Sequence, residues 1–330
     1  MSDNINNAGV QHGGNLSVIA AEFPDAPRPY IDLSTGINPY PYQLREIAGA
    51  NNRLADVAEM AAAHEAAAEY YGTNAQNITL AAGMQPLMFA LAALRYQKFG
   101  VGKTHIFAPT YSEYATIWTA AGHVLTDDIE AADIVIICNP NNPDGRIIPK
   151  AELLQIADNL AARNGWLIVD EAFADLTPEI SVVGAVSSRH NVIIMRSMGK
   201  FFGLAGLRVS AAIAPREINS YLRVVAGAWA ISTNSCLQLP AIFADRNWAA
   251  ATRSRLATES AAWREILAQK FTIIGHTPLF TLVESADADY CYNHLAKSGI
   301  LTRKFVYNPY WLRFGLPNVR DIECIASRFL

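Results

Sequence analysis

Short apolar runs alternate with amphipathic segments through the middle of the chain. The runs have the length of buried strands, and the segments between them repeat apolar residues at helical spacing. Predicted strands cover residues 78–82, 105–108, 133–138, 166–169, 192–195 and 209–214, with predicted helices at 85–97, 112–121 and 149–163. Such alternation predicts an α/β fold, in which helices flank both faces of a mostly parallel sheet.

The pattern changes towards both ends of the chain. Residues 1–15 are polar, and the Pro-rich stretch 24–41 cannot form one regular element. An Ala-rich helix is predicted over 54–71. From about 235 we predict a long helical region to 270, then two or three short strands and one helix. We therefore expect an N-terminal arm (1–40), a large domain (41–240) and a smaller α+β domain (241–330).

Composition narrows the class of protein. The chain has 330 residues, is 51% hydrophobic and 17% charged, and has a net charge of −4. Scattered basic residues and this charge predict no nucleic-acid partner. No apolar run is long enough to span a membrane and no signal peptide is evident. The four cysteines lack metal-ligand or redox spacing. We expect a cytoplasmic protein without a metal.

One lysine lies just past a predicted strand, in the Gly-rich stretch from Ser197 to Arg208. An amine that forms a Schiff base needs a fixed loop and partial shielding from water, which ease loss of its proton. A hydroxyl and a guanidinium near Lys200 suit a phosphate. Taken alone, this stretch is equally consistent with a solvated lysine and a surface arginine.

Other polar groups also follow predicted strands, and ligands of open parallel sheets bind beyond the carboxyl ends of the strands. These groups are the Gly83-Met84-Gln85 turn, Tyr111, Asn142 and Asp170. Pyridoxal phosphate needs such a set. A lysine forms the imine, and a carboxylate keeps the ring nitrogen protonated. The protonated ring draws electrons from the substrate's α-carbon. An aromatic face can stack on the ring, and an amide can bond its phenolic oxygen.

Three motifs in this order carry a family resemblance. They are Asn-Asn-Pro-x-Gly from Asn141, Asp-Glu-Ala-Phe from Asp170 and Ser-x-Gly-Lys-x-Phe-Gly-Leu-Ala-Gly-Leu-Arg from Ser197. The chain resembles fold-type I pyridoxal-phosphate enzymes of the class I/II aminotransferase group. His12-Gly13-Gly14-Asn15 and the stretch from Asp32 to Pro39 make it most similar to the threonine-phosphate decarboxylases of cobalamin biosynthesis. These are relatives of the histidinol-phosphate aminotransferases.

The resemblance implies a role for each matching position. Lys200 would form the Schiff base, Asp170 would pair with the ring nitrogen, Asn142 would contact the ring oxygen, and Tyr111 would stack on the ring. The cofactor phosphate would be held by Gly83, Met84, Ser197 and Arg208. The substrate would be bound by His12, Gly13, Gly36, Asn142, Arg303 and Arg313, the last gripping its carboxylate.

The same resemblance implies an activity and an assembly. The activity is decarboxylation of L-threonine O-3-phosphate to (R)-1-amino-2-propanol O-2-phosphate and CO2, by a homodimer. Transamination would use the same cofactor contacts, and only the resemblance favours the lyase. An aminotransferase of the histidinol-phosphate type is therefore the alternative.

Two positions depart from the family pattern. Phe173 stands where many relatives have a tyrosine that bonds the ring oxygen. The stretch 52–56 lacks the tyrosine with which a partner subunit often contacts the cofactor phosphate, and Arg53 is a candidate substitute. Phe173 keeps a non-catalytic relative open as a further alternative.

Gly102-Lys103-Thr104 and the acidic pair after the 166–169 strand suggest a P-loop ATPase instead. The P-loop motif needs glycine at position 97, where this chain has glutamine. It also needs a strand before the loop, and here a helix is predicted before it. An ordinary helix-to-strand loop explains the stretch better.

Overall fold

A computed structural model describes residues 13–329, except for the side chains at 18, 19 and 329. His12 lies outside the described residues. The chain divides into two compact units. The large unit comprises Tyr40–Asn142 and Arg146–Arg253. The small unit comprises the described residues up to Pro39, then Pro143–Gly145, and those from Ser254 onward.

A seven-stranded sheet forms the centre of the large unit, in the order β2-β8-β7-β6-β5-β3-β4. β8 is antiparallel to both of its neighbours, and the remaining pairs are parallel. The strands are β2 Ile78–Ala81, β3 Lys103–Ile106, β4 Val124–Leu125, β5 Ile134–Cys138, β6 Trp166–Asp170, β7 Val192–Ser197 and β8 Ser210–Ile213. Every residue of β5 and β6 is buried, as expected for central parallel strands covered on both faces.

Helices connect and cover these strands. They are α2 Val57–Tyr71, α3 Met84–Phe99, α4 Glu113–Ala120, α5 Lys150–Ala161, α6 Arg216–Ala226 and α7 Thr233–Ala244, and α8 Arg246–Ala268 continues into the small unit. Asp56 caps α2, because its carboxylate accepts from the Glu59 amide while the Glu59 side chain bonds the Asp56 amide. No described helix is both long and apolar enough to cross a bilayer.

The small unit is built around an antiparallel sheet with the order β12-β13-β10-β9. Its elements are α1 Leu16–Glu22, β1 Ile31–Asp32, β9 Thr272–Thr277, β10 Phe280–Glu284, α9 Ala288–Lys297, β11 Ile300–Leu301, β12 Arg303–Phe305, β13 Asn308–Gly315 and α10 Val319–Phe329. β1 pairs in parallel with β11, which ties the N-terminal segment to the C-terminal part of the chain.

The α/β class and the mostly parallel sheet predicted from the sequence are confirmed. The predicted number of strands and helices in the C-terminal part was wrong. After residue 270 the described chain has five strands and two helices, because strands as short as Ile300–Leu301 leave no periodic signal. The single long helical region is two helices, separated at Asp245. The three domain limits expected from the sequence stay a proposal.

A buried ion-pair cluster joins the ends of β6 and β7. The Arg196 guanidinium lies 2.8 Å from the Glu171 carboxylate and 3.5 Å from that of Asp175. The Ser181 hydroxyl bonds Glu171 at 2.6 Å and accepts from Arg196 at 2.9 Å. All three charged side chains are at most 4% exposed. Asp170 and Ser197 adjoin this cluster in sequence, so it fixes the strand ends that carry them.

Arg196→Met removes the cation of this cluster and leaves two carboxylates buried without it. Breaking a buried pair in this way destabilises a protein by about 3–5 kcal/mol, because the remaining charge is uncompensated. We expect the urea-unfolding midpoint to fall accordingly. The matched control is Arg189→Ala, which removes an ion pair with Asp158 whose side chains are 28% and 54% exposed. Equal, small effects of the two substitutions would contradict the stabilising role of the cluster.

Candidate active site

The candidate site forms where strands of the large unit end at the same edge of the sheet. In the register, Cys138 is beside Asp170, Asp170 is beside Met195, and Ser197 is beside Ser210. Ser210 also pairs with Ala81, so the turn after β2 starts at this edge. β8 runs in the opposite direction, and the residues preceding it therefore reach the same edge.

The turn into α3 forms an anion cradle. Gly83 precedes the helix with a φ of 100° and Met84 is its first residue. A Cβ at Gly83 would lie 2.6 Å from the Arg208 guanidinium, so only glycine allows this approach. The free N–H groups of a helix N-terminus beside a guanidinium are suited to a phosphate. The hydroxyl of Ser197, at the end of β7, accepts a hydrogen bond from the Gly199 amide at 3.2 Å.

Asp170 is a buried carboxylate, 4% exposed, at the end of β6. The Tyr114 hydroxyl donates to one of its oxygens, and the Ala172 amide donates to the other at 2.9 Å. Burial raises the pKa of Asp170, while Tyr114, Ala172 and the Lys200 ammonium oppose that rise by favouring the charged form. The carboxylate is thus buried but stabilised, which suits a cationic ring nitrogen.

Lys200 lies half-buried in the loop after β7. Its ammonium nitrogen is 5.6 Å from the centre of the Phe173 ring, and it acts electrostatically on Asp170. The fixed loop and the partial burial give the shielding from water that an amine forming a Schiff base requires.

The loops that carry Tyr111 and Asn142 are held together by Asn141. Its side chain accepts from the Thr110 hydroxyl at 2.7 Å and donates to the Pro109 carbonyl at 2.8 Å. Tyr111 is half-buried and contacts the edge of Tyr114 with ring centres 5.5 Å apart. Asn142 is half-buried in the loop after β5.

The small unit contains an arginine pair on adjacent strands. Arg303 of β12 is in register with Arg313 of β13. Arg313 is 4% exposed and donates to the Ser34 carbonyl at 2.9 Å. Burial, followed by repulsion from Arg303, lowers the pKa of Arg313 to about 9, so it stays charged at neutral pH. Two cations in register are suited to a substrate with more than one negative group.

The predicted residues therefore fall into two groups. The large unit contains Gly83, Met84, Tyr111, Asn142, Asp170, Ser197, Lys200 and Arg208, all at one edge of its sheet. The small unit contains Gly13, Gly36, Arg303 and Arg313. Gly36 is buried after β1, and Gly13 lies against Ser34. The roles assigned to these residues remain predictions.

Sequence reasoning missed two residues that order this edge, Tyr114 and Asn141. Tyr114 lies three residues after Tyr111, in the first turn of α4, and this closeness in sequence to a predicted ring contact was an available signal. Asn141 was quoted within a motif but given no role. Arg53, the candidate substitute for the partner subunit's tyrosine, forms two hydrogen bonds with Glu59 at 2.7 and 2.6 Å, and its role at the phosphate stays a prediction.

The residues present fit pyridoxal phosphate. The cradle at Gly83 matches a phosphate, Asp170 matches a ring nitrogen, and Lys200 matches an aldehyde. Among the described side chains, no group of three or more His, Cys, Asp or Glu is placed to hold a metal ion.

Comparison with known proteins identifies the relatives. The family model described as aminotransferase class I and II matches residues 28–328. A threonine-phosphate decarboxylase from Sinorhizobium sp. is 39% identical over 317 residues, covering 94% of each chain. One from Pseudomonas aeruginosa is 36% identical over 318 residues, covering 93% of each chain.

The fold also matches solved structures. A histidinol-phosphate aminotransferase from Sinorhizobium meliloti, in complex with pyridoxal-5'-phosphate, superposes with a TM-score of 0.84. It is 18% identical, and the match covers 100% of this chain and 97% of that one, which shows a shared fold. The strand-end site, the family match and the near-full-length relatives lead to one conclusion: the chain belongs to the class I and II aminotransferase family.

Proposed function

We propose that the chain decarboxylates L-threonine O-3-phosphate to (R)-1-amino-2-propanol O-2-phosphate and CO2, using pyridoxal 5'-phosphate. The observation that carries this proposal is the near-full-length similarity to two threonine-phosphate decarboxylases, combined with a complete set of cofactor-matching residues. The name of those relatives further supports a place in cobalamin biosynthesis. The four cysteines of this chain form no disulfide with one another, which is consistent with the cytoplasm.

The large unit supplies the cofactor contacts in this proposal. Backbone amides at Gly83 and Met84, with Ser197 and Arg208, hold the phosphate. Asp170 holds a proton on the ring nitrogen, Asn142 contacts the ring oxygen, and Tyr111 covers the ring face. When bound, the cofactor withdraws electrons from the substrate's α-carbon as the bond to the carboxylate breaks. Lys200 would hold the cofactor through its side-chain amine.

The small unit supplies charge for the substrate. Arg313 binds the substrate carboxylate and Arg303 adds a second cation, while His12, Gly13 and Gly36 contribute further contacts. The reaction outcome depends on which bond at the α-carbon is held perpendicular to the ring, and these groups orient the substrate.

Phe173 leaves the ring oxygen with one fewer hydrogen-bond donor than a tyrosine would provide. The Tyr114 hydroxyl donates to Asp170, the carboxylate that would pair with the ring nitrogen, and so it would not replace the missing donor to the ring oxygen.

The reaction type is tested by incubating the cofactor-loaded enzyme with L-threonine O-3-phosphate and no keto acid. We expect CO2 and the amine product in equal amounts over many turnovers, with the cofactor returning to its aldehyde form. Lys200→Ala should release no CO2 and should lose the borohydride-sensitive colour. A single conversion of the cofactor to its amine form without CO2 would reject the lyase and favour the aminotransferase alternative.

Tyr114→Phe removes the hydroxyl that donates to Asp170. That hydroxyl lowers the pKa of Asp170, so its loss raises the pKa and the carboxylate becomes protonated at a higher pH. We expect the acid side of the kcat profile to move to higher pH and kcat at neutral pH to fall about tenfold, as for loss of one hydrogen bond to a charged group. Tyr290→Phe, at a ring that is 65% exposed, is the control. An unshifted acid limb would refute this role of Tyr114.

We also propose a homodimer. Leu54, Val57 and Trp229 are 60%, 87% and 57% exposed, and the Trp229 indole donates to the Ala55 carbonyl at 3.1 Å. These apolar side chains therefore lie close together on the large unit, and exposed apolar patches mark interaction sites.

Val57→Asp should convert the dimer to monomers in sedimentation velocity, because it places a charge in a buried contact. The control is Val124→Asp on β4, at the opposite edge of the sheet from β2, where the side chain is 48% exposed. A monomeric wild-type protein, or an intact Val57→Asp dimer, would contradict this assembly surface.

A further inference from the structure

In the small unit, Ser34 forms hydrogen bonds with two elements that are proposed to contact the substrate, the Gly13-Gly14 segment and Arg313. Ser34 follows β1 and is 4% exposed. Its amide and its hydroxyl both donate to the same Asp32 carboxylate oxygen, at 2.8 and 2.5 Å. The residue between them, Leu33, donates its amide to the Leu301 carbonyl at 2.7 Å. These hydrogen bonds, to Asp32 and to Leu301, therefore fix the conformation of the turn that contains Ser34.

The hydroxyl oxygen of Ser34 also holds the N-terminal segment. It accepts the Gly14 amide at 2.8 Å. Because its single proton is donated to Asp32, its lone pairs face Gly14. A Cβ at Gly13 would overlap the Ser34 carbonyl oxygen and lie 3.0 Å from the hydroxyl oxygen. Residue 13 must therefore be glycine for the segment to reach Ser34.

The carbonyl of the same residue holds the arginine. It accepts from Arg313 at 2.9 Å. The strand that carries Arg313 ends against this turn, since the Gly315 amide donates to the Leu33 carbonyl at 2.6 Å. Arg313 is additionally fixed by Phe280, whose ring centre is 5.1 Å from the guanidinium carbon. The turn thus contacts the arginine side chain and its strand together.

We propose that Ser34 is a positioning residue that sets the Gly13-Gly14 segment and Arg313 in one register, so that both meet the substrate at a fixed separation. This inference deepens the proposed function and rests on it. A phosphorylated amino acid has two anionic groups, and binding it in one conformation therefore requires two contacting elements held at a matching distance. The contacts of Ser34 described above lie within the small unit, so Ser34 acts on the reaction through the binding and orientation of the substrate.

The test uses the cofactor-loaded enzyme and the variants Ser34→Ala, Gly13→Ala and the double variant. Ser34→Ala removes the acceptor for Gly14, and Gly13→Ala forces the segment away from the Ser34 carbonyl. We expect each to raise KM for L-threonine O-3-phosphate about tenfold, the effect of one lost hydrogen bond to an anion-binding element. The double variant should be no worse than the worse single variant, because both break the same contact.

A second readout needs no turnover. Hydrogen exchange of the Gly14 amide, followed by mass spectrometry without substrate, should be about tenfold faster in Ser34→Ala than in the wild type. Ser327→Ala is the matched control, because the Ser327 hydroxyl is exposed and its hydrogen bond to the Cys324 carbonyl, at 2.8 Å, involves neither Ser34 nor Gly14. It should change neither KM nor the exchange of Gly14.

The outcomes separate this inference from the proposed function. Unchanged Gly14 exchange in Ser34→Ala, or faster exchange with unchanged KM, overturns the positioning role. Additive effects of the two substitutions on KM also overturn it. Wild-type enzyme that releases no CO2 instead refutes the decarboxylase, and the exchange of Gly14 still reports whether Ser34 holds the segment.

Discussion

The site depends on keeping a carboxylate charged inside a protein core. Burial of Asp170 disfavours its charged form, and the Tyr114 hydroxyl, the Ala172 amide and the Lys200 ammonium offset this. The central parallel strands make that arrangement possible, because they bring Asp170 and the loop of Lys200 to one edge. The buried Arg196 cluster then holds the two strand ends, although its Glu171 carboxylate also contributes to raising the pKa of Asp170.

At this edge of the sheet, backbone groups are proposed to contact the cofactor phosphate and side chains are proposed to contact its ring. The proposed phosphate cradle consists mostly of backbone groups, at a turn where Gly83 has a φ of 100°, and Arg208 adds a charge beside it. The proposed ring contacts are side chains from three different loops, two of which Asn141 holds together. In the small unit, Arg303 and Arg313 lie on neighbouring strands, and the Ser34 carbonyl accepts a hydrogen bond from Arg313.

Much of this could be predicted from the sequence. The apolar runs of β5, β6 and β7 are uninterrupted, so the parallel sheet and its functional edge followed from pattern and strand-end logic. Lys200, Asp170 and Gly83 lie at or just past predicted strand ends, but it was the motif resemblance that assigned them roles. The role of Tyr114 was not identifiable, because a tyrosine on an apolar helix face looks like core until its hydroxyl's partner is known. Ser34 was hidden for a similar reason, since its partners lie 20 and 279 residues away in sequence.

The central claim is that Asp170 keeps a proton on the ring nitrogen of the bound cofactor. Nitrogen-15 NMR of the enzyme loaded with ring-labelled pyridoxal phosphate measures this directly. The account predicts the chemical shift of a protonated pyridinium in the wild type and that of a neutral pyridine in Asp170→Ala. A neutral ring nitrogen in the wild-type enzyme at neutral pH would contradict it.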